Sequence, residues 1–199
     1  MVTVLKATKE DIDKCKISSG FTKWVSSHDE KGKEELRQLL RSRLEEGMEV
    51  WLAVDGDEVV GFAIISDWPA LPGAKAIEAI EVAKPYRGKG IGSMLLSKIT
   101  SELDTLMALM PSPDKGYEKE LEKFYERFGF RYITDDYMVR IPNGPDSGYK
   151  LRRWIEQVDR LLEIYQVLLK EMKIRHDMIY EHMPRMAGER REAERKEAS

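Results

Sequence analysis

The chain has 199 residues, 42% of them hydrophobic and 35% charged, with a formal net charge of −3. That length suffices for one domain with its own core plus an appendage, and the composition excludes a fibre or a membrane protein. The weak negative charge removes any general attraction to nucleic acid or acidic membranes, so binding of polyanions through bulk electrostatics is not expected.

Residues 1–9 mix charges with threonines and lack an apolar run before a small-residue cleavage site, so a cytoplasmic location is expected. Alternation over residues 2–6 predicts a strand, and Thr8 with Asp11 three positions on predicts a capped helix to about residue 16. Cys15, the single cysteine, reads as an ordinary residue of that helix and can form no internal disulfide. Residues 18–33 are irregular, with Phe21 and Trp24 as the large apolar groups. Leu36, Leu39, Leu40 and Leu44 predict a helix over 33–46 that stops at Gly47. Two β-rich runs, 48–55 and 58–66, flank Gly56-Asp57 and predict a hairpin. A Pro- and Gly-containing loop over 68–73 precedes a strand over 76–83. A helix over 92–103, a buried strand over 105–110, a helix over 115–128 ending at Gly129, and strands over 130–134 and 137–141 complete the pattern.

Pro142, Gly144, Pro145 and Gly148 mark residues 142–148 as a linker. Beyond it, apolar residues from Leu151 to Ile179 recur at spacings of three and four, predicting a long amphipathic helix over 149–187. Residues 188–199 alternate acids and bases with little to bury, which predicts a frayed or disordered tail. The helix needs a partner for its stripe: its own domain, a second copy or another protein, with the second copy ranked first.

The turn Tyr86-Arg87-Gly88-Lys89-Gly90-Ile91-Gly92 joins a strand to a helix and places glycines at alternate positions. Such a turn lets backbone N–H groups and a positive helix N-terminus approach an anion. The dinucleotide fingerprint fails on glycine spacing, and the P-loop fails because Gly90, not a hydroxyl residue, follows Lys89. His28, His176 and His182 are scattered, and no metal site is expected.

The run Ile80-Glu81-Val82-Ala83-Lys84-Pro85-Tyr86-Arg87-Gly88-Lys89-Gly90-Ile91-Gly92 resembles the acyl-CoA signature of the GNAT acetyltransferase superfamily, Arg/Gln-x-x-Gly-x-Gly/Ala, at Arg87, Gly90 and Gly92. Downstream, Tyr125 to Phe130 is similar to the family's late Tyr-x-x-x-Gly-Phe. The resemblance covers about residues 1–141 and implies the GNAT fold, of the mixed α/β (α+β) class: a mostly antiparallel sheet flanked by helices, here with the long C-terminal helix added. It implies an N-acetyltransferase that moves an acetyl group from acetyl-CoA to a primary amine, of a small molecule or a protein, by direct attack, with no metal. The turn from Arg87 through Gly88, Lys89, Gly90, Ile91 and Gly92 to Ser93 would hold the pyrophosphate, and the strand edge at Ile80, Glu81 and Val82 would pair with the pantetheine arm. Tyr125 would act as general acid. Glu78, taken to face away from Glu81 and to share a face with Ile80 and Val82, would act as base, a water chain being the other route. The chain departs from the family pattern at Glu118, where an asparagine is usual, and in lacking an acid over 105–110. Phe21, Trp24 and Trp68 fall in loops that border the acceptor side, lining it or anchoring the loops. An alternative from another class is a CoA-binding regulatory or assembly module whose long helix mediates protein interaction.

Overall fold

The computed structural model describes residues 1–144 and 147–197, with side chains described to residue 179. In element order the chain forms β1 (Val2–Lys6), α1 (Lys9–Lys14), β2 (Lys16–Ile17), α2 (Glu30–Glu45), β3 (Glu49–Asp55), β4 (Glu58–Asp67), β5 (Lys75–Val82), a 3-10 turn (Lys84–Tyr86), α3 (Ile91–Glu102), β6 (Met107–Leu109), α4 (Glu118–Glu126), β7 (Phe130–Tyr132), β8 (Met138–Arg140) and α5 (Ser147–Glu197). Compact units are Met1–Lys150 and Leu151–Ser199.

In the first unit the strands join in one sheet in the order β1-β3-β4-β5-β6-β8-β7, with β2 added in parallel to β4. All other neighbours are antiparallel except β5 and β6. Gly56, at φ 65°, lets the chain reverse between β3 and β4, as the Gly-Asp dipeptide predicts. β4 is buried on both faces and divides its side chains between two cores. Val60, Ala63 and Ile65 join Leu95, Leu96 and Ile99 of α3 and Tyr125 of α4. Val59, Phe62 and Ile64 join Ile12 of α1, Leu36 and Leu40 of α2, and Phe21. Helices therefore cover both faces of the sheet, which is the GNAT fold expected from the sequence. Gly61 of β4 allows α3 to lie close, because a Cβ there would sit 3.3 Å from Ile91 and Leu95.

Local chemistry explains the helix starts. Thr8 and Asp11 form the expected capping box on α1, and hydrogen bonds from Thr8 hold the Asp11 carboxyl below its usual range. Asp29 caps α2, which begins several residues before the expected start at 33 because Asp29 accepts from the Lys31 and Gly32 amides. The first helix is shorter than its pattern suggests. It ends at Lys14, and Lys16–Ile17 pairs with Glu58 and Val59 of β4, a long-range contact with no local signature. Cys15 accordingly lies at the C-cap of α1 and not inside the helix, half-buried, and that burial pushes its thiol up.

α5 begins at Ser147, inside the segment expected as linker, and its helical backbone passes position 187 to Glu197. Pro145 and Asp146 of that linker lie outside the described residues, as do Ala198 and Ser199 of the expected tail.

Candidate active site

The pairing of β5 determines where a ligand fits. Its first residues, Lys75 to Ile77, pair in parallel with Met107 to Leu109 of β6, and its other edge pairs with β4 along its length. From Glu78 onward β5 has no ladder partner on the β6 side, so the two parallel strands part. A register shift in the β4–β5 pairing, with Ile64 opposite Ala79 and Ile65 opposite Ile77, puts a bulge at Glu78 where they separate. The gap opens into a cleft of about 1010 Å³ whose walls include Leu109, Met110, Phe124 and Tyr125 as well as β5 from Ile77 to Val82. An unpaired strand edge beside a cleft offers backbone N–H and C=O groups to an amide-bearing ligand.

The far end of the cleft is the turn after β5. Gly88 (φ 76°) and Gly90 (φ 80°) occupy the left-handed region, and a Cβ at either would meet no protein atom within 4 Å. Gly90 is the N-cap of α3, and no side chain caps that helix. The first amides of α3 thus face the cleft without an intrahelical acceptor, beside Gly92 and Ser93 on its wall. This is a fitting cradle for a pyrophosphate. At Gly92 a Cβ would make only ordinary van der Waals contact with the Phe124 ring, at 3.5 Å.

Most of the residues expected from the sequence come together here. Glu78, Ile80, Glu81, Val82, Arg87, Gly88, Gly90, Ile91, Gly92, Ser93 and Tyr125 all line the cleft. Lys89 does not line it; its ammonium lies 4.9 Å above the Tyr86 ring, and Tyr86 in turn donates to Glu58 at 2.9 Å.

Two expectations about the carboxylates need correction. The bulge at Glu78 interrupts the alternation of β5, so Ile77 joins Ile80 and Val82 in one core while Ala79 turns to the other. The odd separation of Glu78 and Glu81 therefore does not put them on opposite sides, and both line the same cleft. Glu78 is exposed and accepts a short hydrogen bond from the Ser66 hydroxyl. Glu81, in contrast, is 5% exposed. Its Oε1 accepts from the Thr22 amide at 2.7 Å, the Thr22 hydroxyl at 3.0 Å and the Lys23 amide at 3.4 Å.

Arg87 completes a polar cluster that the motif does not announce. Its Nε donates to the Val82 carbonyl at 3.0 Å, one terminal nitrogen to Asp114 at 3.2 Å, and the other lies 3.5 Å from Glu81. Lys23 adds an ion pair to Asp114 at 3.7 Å and a short hydrogen bond to the Ser112 carbonyl. The loop after β2, the turn after β5 and the loop after β6 are thereby tied at one rim of the cleft. Lys23 and Asp114 escaped the sequence reading because they sit in irregular loops whose apposition is purely tertiary.

Tyr125 projects from α4 into the wall shared with Phe124 and Phe130, at centroid distances of 5.1 and 5.9 Å. Burial pushes its phenol well above the usual tyrosine range, so it stays protonated at neutral pH. The aromatic loop residues divide. Trp24 lines the cleft, whereas Phe21 is buried against Phe62 at 5.5 Å and Trp68 meets Tyr137 in a tilted contact at 6.5 Å. Glu118, in place of the usual asparagine, accepts from the Gly116 amide at 3.0 Å, and that bond first lowers its carboxyl. Among the described residues no group of His, Cys, Asp or Glu could hold a metal ion, and no helix is long and apolar enough to cross a membrane.

Comparison with known proteins agrees with this geometry. Residues 46–132 match the family described as acetyltransferase (GNAT) domain. Among solved structures, an acetoin utilization protein from Exiguobacterium sibiricum is similar at 21% identity and TM-score 0.58, over 78% of this chain and 91% of that one. A histone acetyltransferase HPA2 and related acetyltransferase from Corynebacterium glutamicum is similar at 22% identity and TM-score 0.51, over 72% and 98%. A GNAT superfamily phosphinothricin acetyltransferase from Sinorhizobium meliloti, in complex with AcCoA, is similar at 20% identity and TM-score 0.50, over 72% and 89%. No curated protein matches the chain. The sheet order, the helices on both of its faces and the parting of β5 from β6 are those of the GNAT fold. The match to the GNAT acetyltransferase domain runs from just before β3 to the end of β7 and so takes in the split-strand cleft and the glycine turn.

Proposed function

We propose that the protein is an acetyl-CoA-dependent N-acetyltransferase that acts on a primary amine by direct attack, without a covalent enzyme intermediate. The observation that carries this reading is the opening of β5 from β6 at the Glu78 bulge, directly continuous with the uncapped N-terminus of α3. A long donor with a pyrophosphate at one end and amides along its arm fits that course. The amides from Gly88 to Ser93 would hold the phosphates, with Arg87 bracing the turn through Val82 and Asp114. The free edge at Ile80, Glu81 and Val82 would align the arm. Acetyl-CoA held there would supply an activated thioester.

Two proton movements remain for the protein. As the amine nitrogen forms its bond to the acyl carbon and the carbon–sulfur bond breaks, the nitrogen must lose a proton and the departing sulfur gains from receiving one. Glu78, exposed to solvent and hydrogen-bonded by Ser66, suits the acceptor role. Tyr125, protonated and embedded in an apolar wall, suits the donor role. Trp24 and Met110 line the same cleft as Glu78, and apolar surface together with a carboxylate favours a cationic amine with some apolar body.

Calorimetric titration with acetyl-CoA tests the reading. Micromolar binding is expected for the native protein, and a Gly90→Asp, Gly92→Asp double variant should lose it by placing carboxylates against the pyrophosphate. Failure of the native protein to bind acetyl-CoA would refute it.

A further inference from the structure

The second unit carries a surface that acetyl transfer does not use. Along α5, apolar residues from Ile155 to Ile179 follow one another at alternating spacings of three and four, interrupted once by His176. They stand open: exposures run from 38% at Val158 to 67% at Met172. A stripe this long on a soluble helix requires a covering surface.

The order of residues along the stripe identifies that surface. When the helix is laid against an antiparallel copy of itself, Ile155 meets Ile179, Val158 meets His176, Leu162 meets Met172, and Tyr165 meets Leu169. Every apolar layer is filled by residues of complementary size, and the twofold axis falls beside Val167, midway between Ile155 and Ile179. The flanks decide the orientation. On one side of the stripe lie Asp159, Gln166 and Lys173, one heptad apart. In the antiparallel register Asp159 of each copy faces Lys173 of the other, and the two Gln166 amides face each other across the axis. A parallel pair offers none of this, because Asp159 and Lys173 would face Trp154 and Leu168, and His176 would stack on its own equivalent.

We propose that α5 is a homodimerisation element that pairs with a second copy of this chain in antiparallel orientation, through the face from Ile155 to Ile179 and two Asp159–Lys173 ion pairs. Such an isologous contact closes on itself and gives a dimer with twofold symmetry. A shorter apolar row, Ile164, Val167 and Ile174, lies on another side of the helix and takes no part in this pair. The proposal does not rest on the acetyl-transfer reading, and its failure would leave that reading untouched.

The test uses the full chain in a Cys15→Ser background. Single Leu162→Cys and Met172→Cys variants are oxidised separately and as a mixture, and covalent dimers are read on a denaturing gel. The antiparallel pair predicts a disulfide in the mixture, between one variant and the other, and little in either variant alone. Crosslinking of each variant to itself would overturn the orientation. Sedimentation equilibrium supplies the second arm. Native protein should be dimeric, Asp159→Lys should weaken association roughly tenfold, and Asp159→Lys with Lys173→Asp should restore it. A monomer at tens of micromolar, with helical content intact by circular dichroism, or a double variant no stronger than the single one, would overturn the proposal.

Discussion

The Glu81 carboxylate accepts hydrogen bonds from both the amide and the hydroxyl of Thr22, at 2.7 and 3.0 Å, joining residues far apart in the chain at the rim of the cleft. Its other oxygen is buried and has no hydrogen-bond partner. A buried carboxylate is tolerated only because its partners are held in place, and the loop carrying Lys23 and Trp24 is held in return. Replacing Glu81 with Ala should leave the Thr22 and Lys23 amides without their acceptor and lower stability by roughly 3 kcal/mol. Urea denaturation measures that loss, and hydrogen exchange should show faster exchange at Thr22 and Lys23 while β4 stays protected.

Tyr125→Phe keeps the ring contacts to Phe124 and Phe130 and removes only the hydroxyl. Acetyl-CoA affinity and thermal stability should stay near the native values, and kcat should fall by on the order of 10²- to 10⁴-fold. Because burial raises the Tyr125 phenol, its deprotonation should not limit the native rate anywhere below about pH 10, the ordinary tyrosine value. Steady-state kinetics across pH, beside calorimetry on both proteins, checks each part.

Glu78→Gln should lower kcat by roughly 10²-fold or more without weakening acetyl-CoA binding, since the backbone of the bulge is retained. Ser66→Ala removes the hydroxyl that donates to Glu78 and should have a smaller effect of the same kind. Equal kcat in native and Glu78→Gln proteins would point to a water chain as the proton acceptor.

Glu49 lies in the sheet with Lys6 at 3.0 Å and Lys75 at 3.1 Å. Burial pushes its carboxyl up, but the hydrogen bonds and charges of Lys6 and Lys75 outweigh that, and the net shift is downward. A depressed folded value means that the stabilisation is fully present above the unfolded value of about 4.3 and fades as pH falls through the folded one. Glu49→Gln should therefore cost about 1 kcal/mol at pH 7, and the gap to the native protein should close below about pH 4. Denaturant titrations at a series of pH values measure it.

Much of this protein follows from short-range rules. The 3.6-residue period of the Leu36 to Leu44 run, the Thr8 capping box, the Gly56-Asp57 reversal and the glycine turn before α3 are each written within a few consecutive residues, because propensity, capping and φ preference act locally. The open glycine turn at Gly88 and Gly90 and the place of Tyr125 on the cleft wall were legible for the same reason, reinforced by a family resemblance. Other features depend on which segments meet. The β2–β4 pairing that shortens α1, the bulge that brings Glu78 and Glu81 to one cleft, and the Thr22, Lys23, Arg87 and Asp114 cluster around Glu81 all arise from contacts across tens of residues. No periodicity encodes such contacts. The bulge is the sharpest case: strand alternation assigns Glu78 and Glu81 to opposite faces, and only the register between β4 and β5 reverses that assignment.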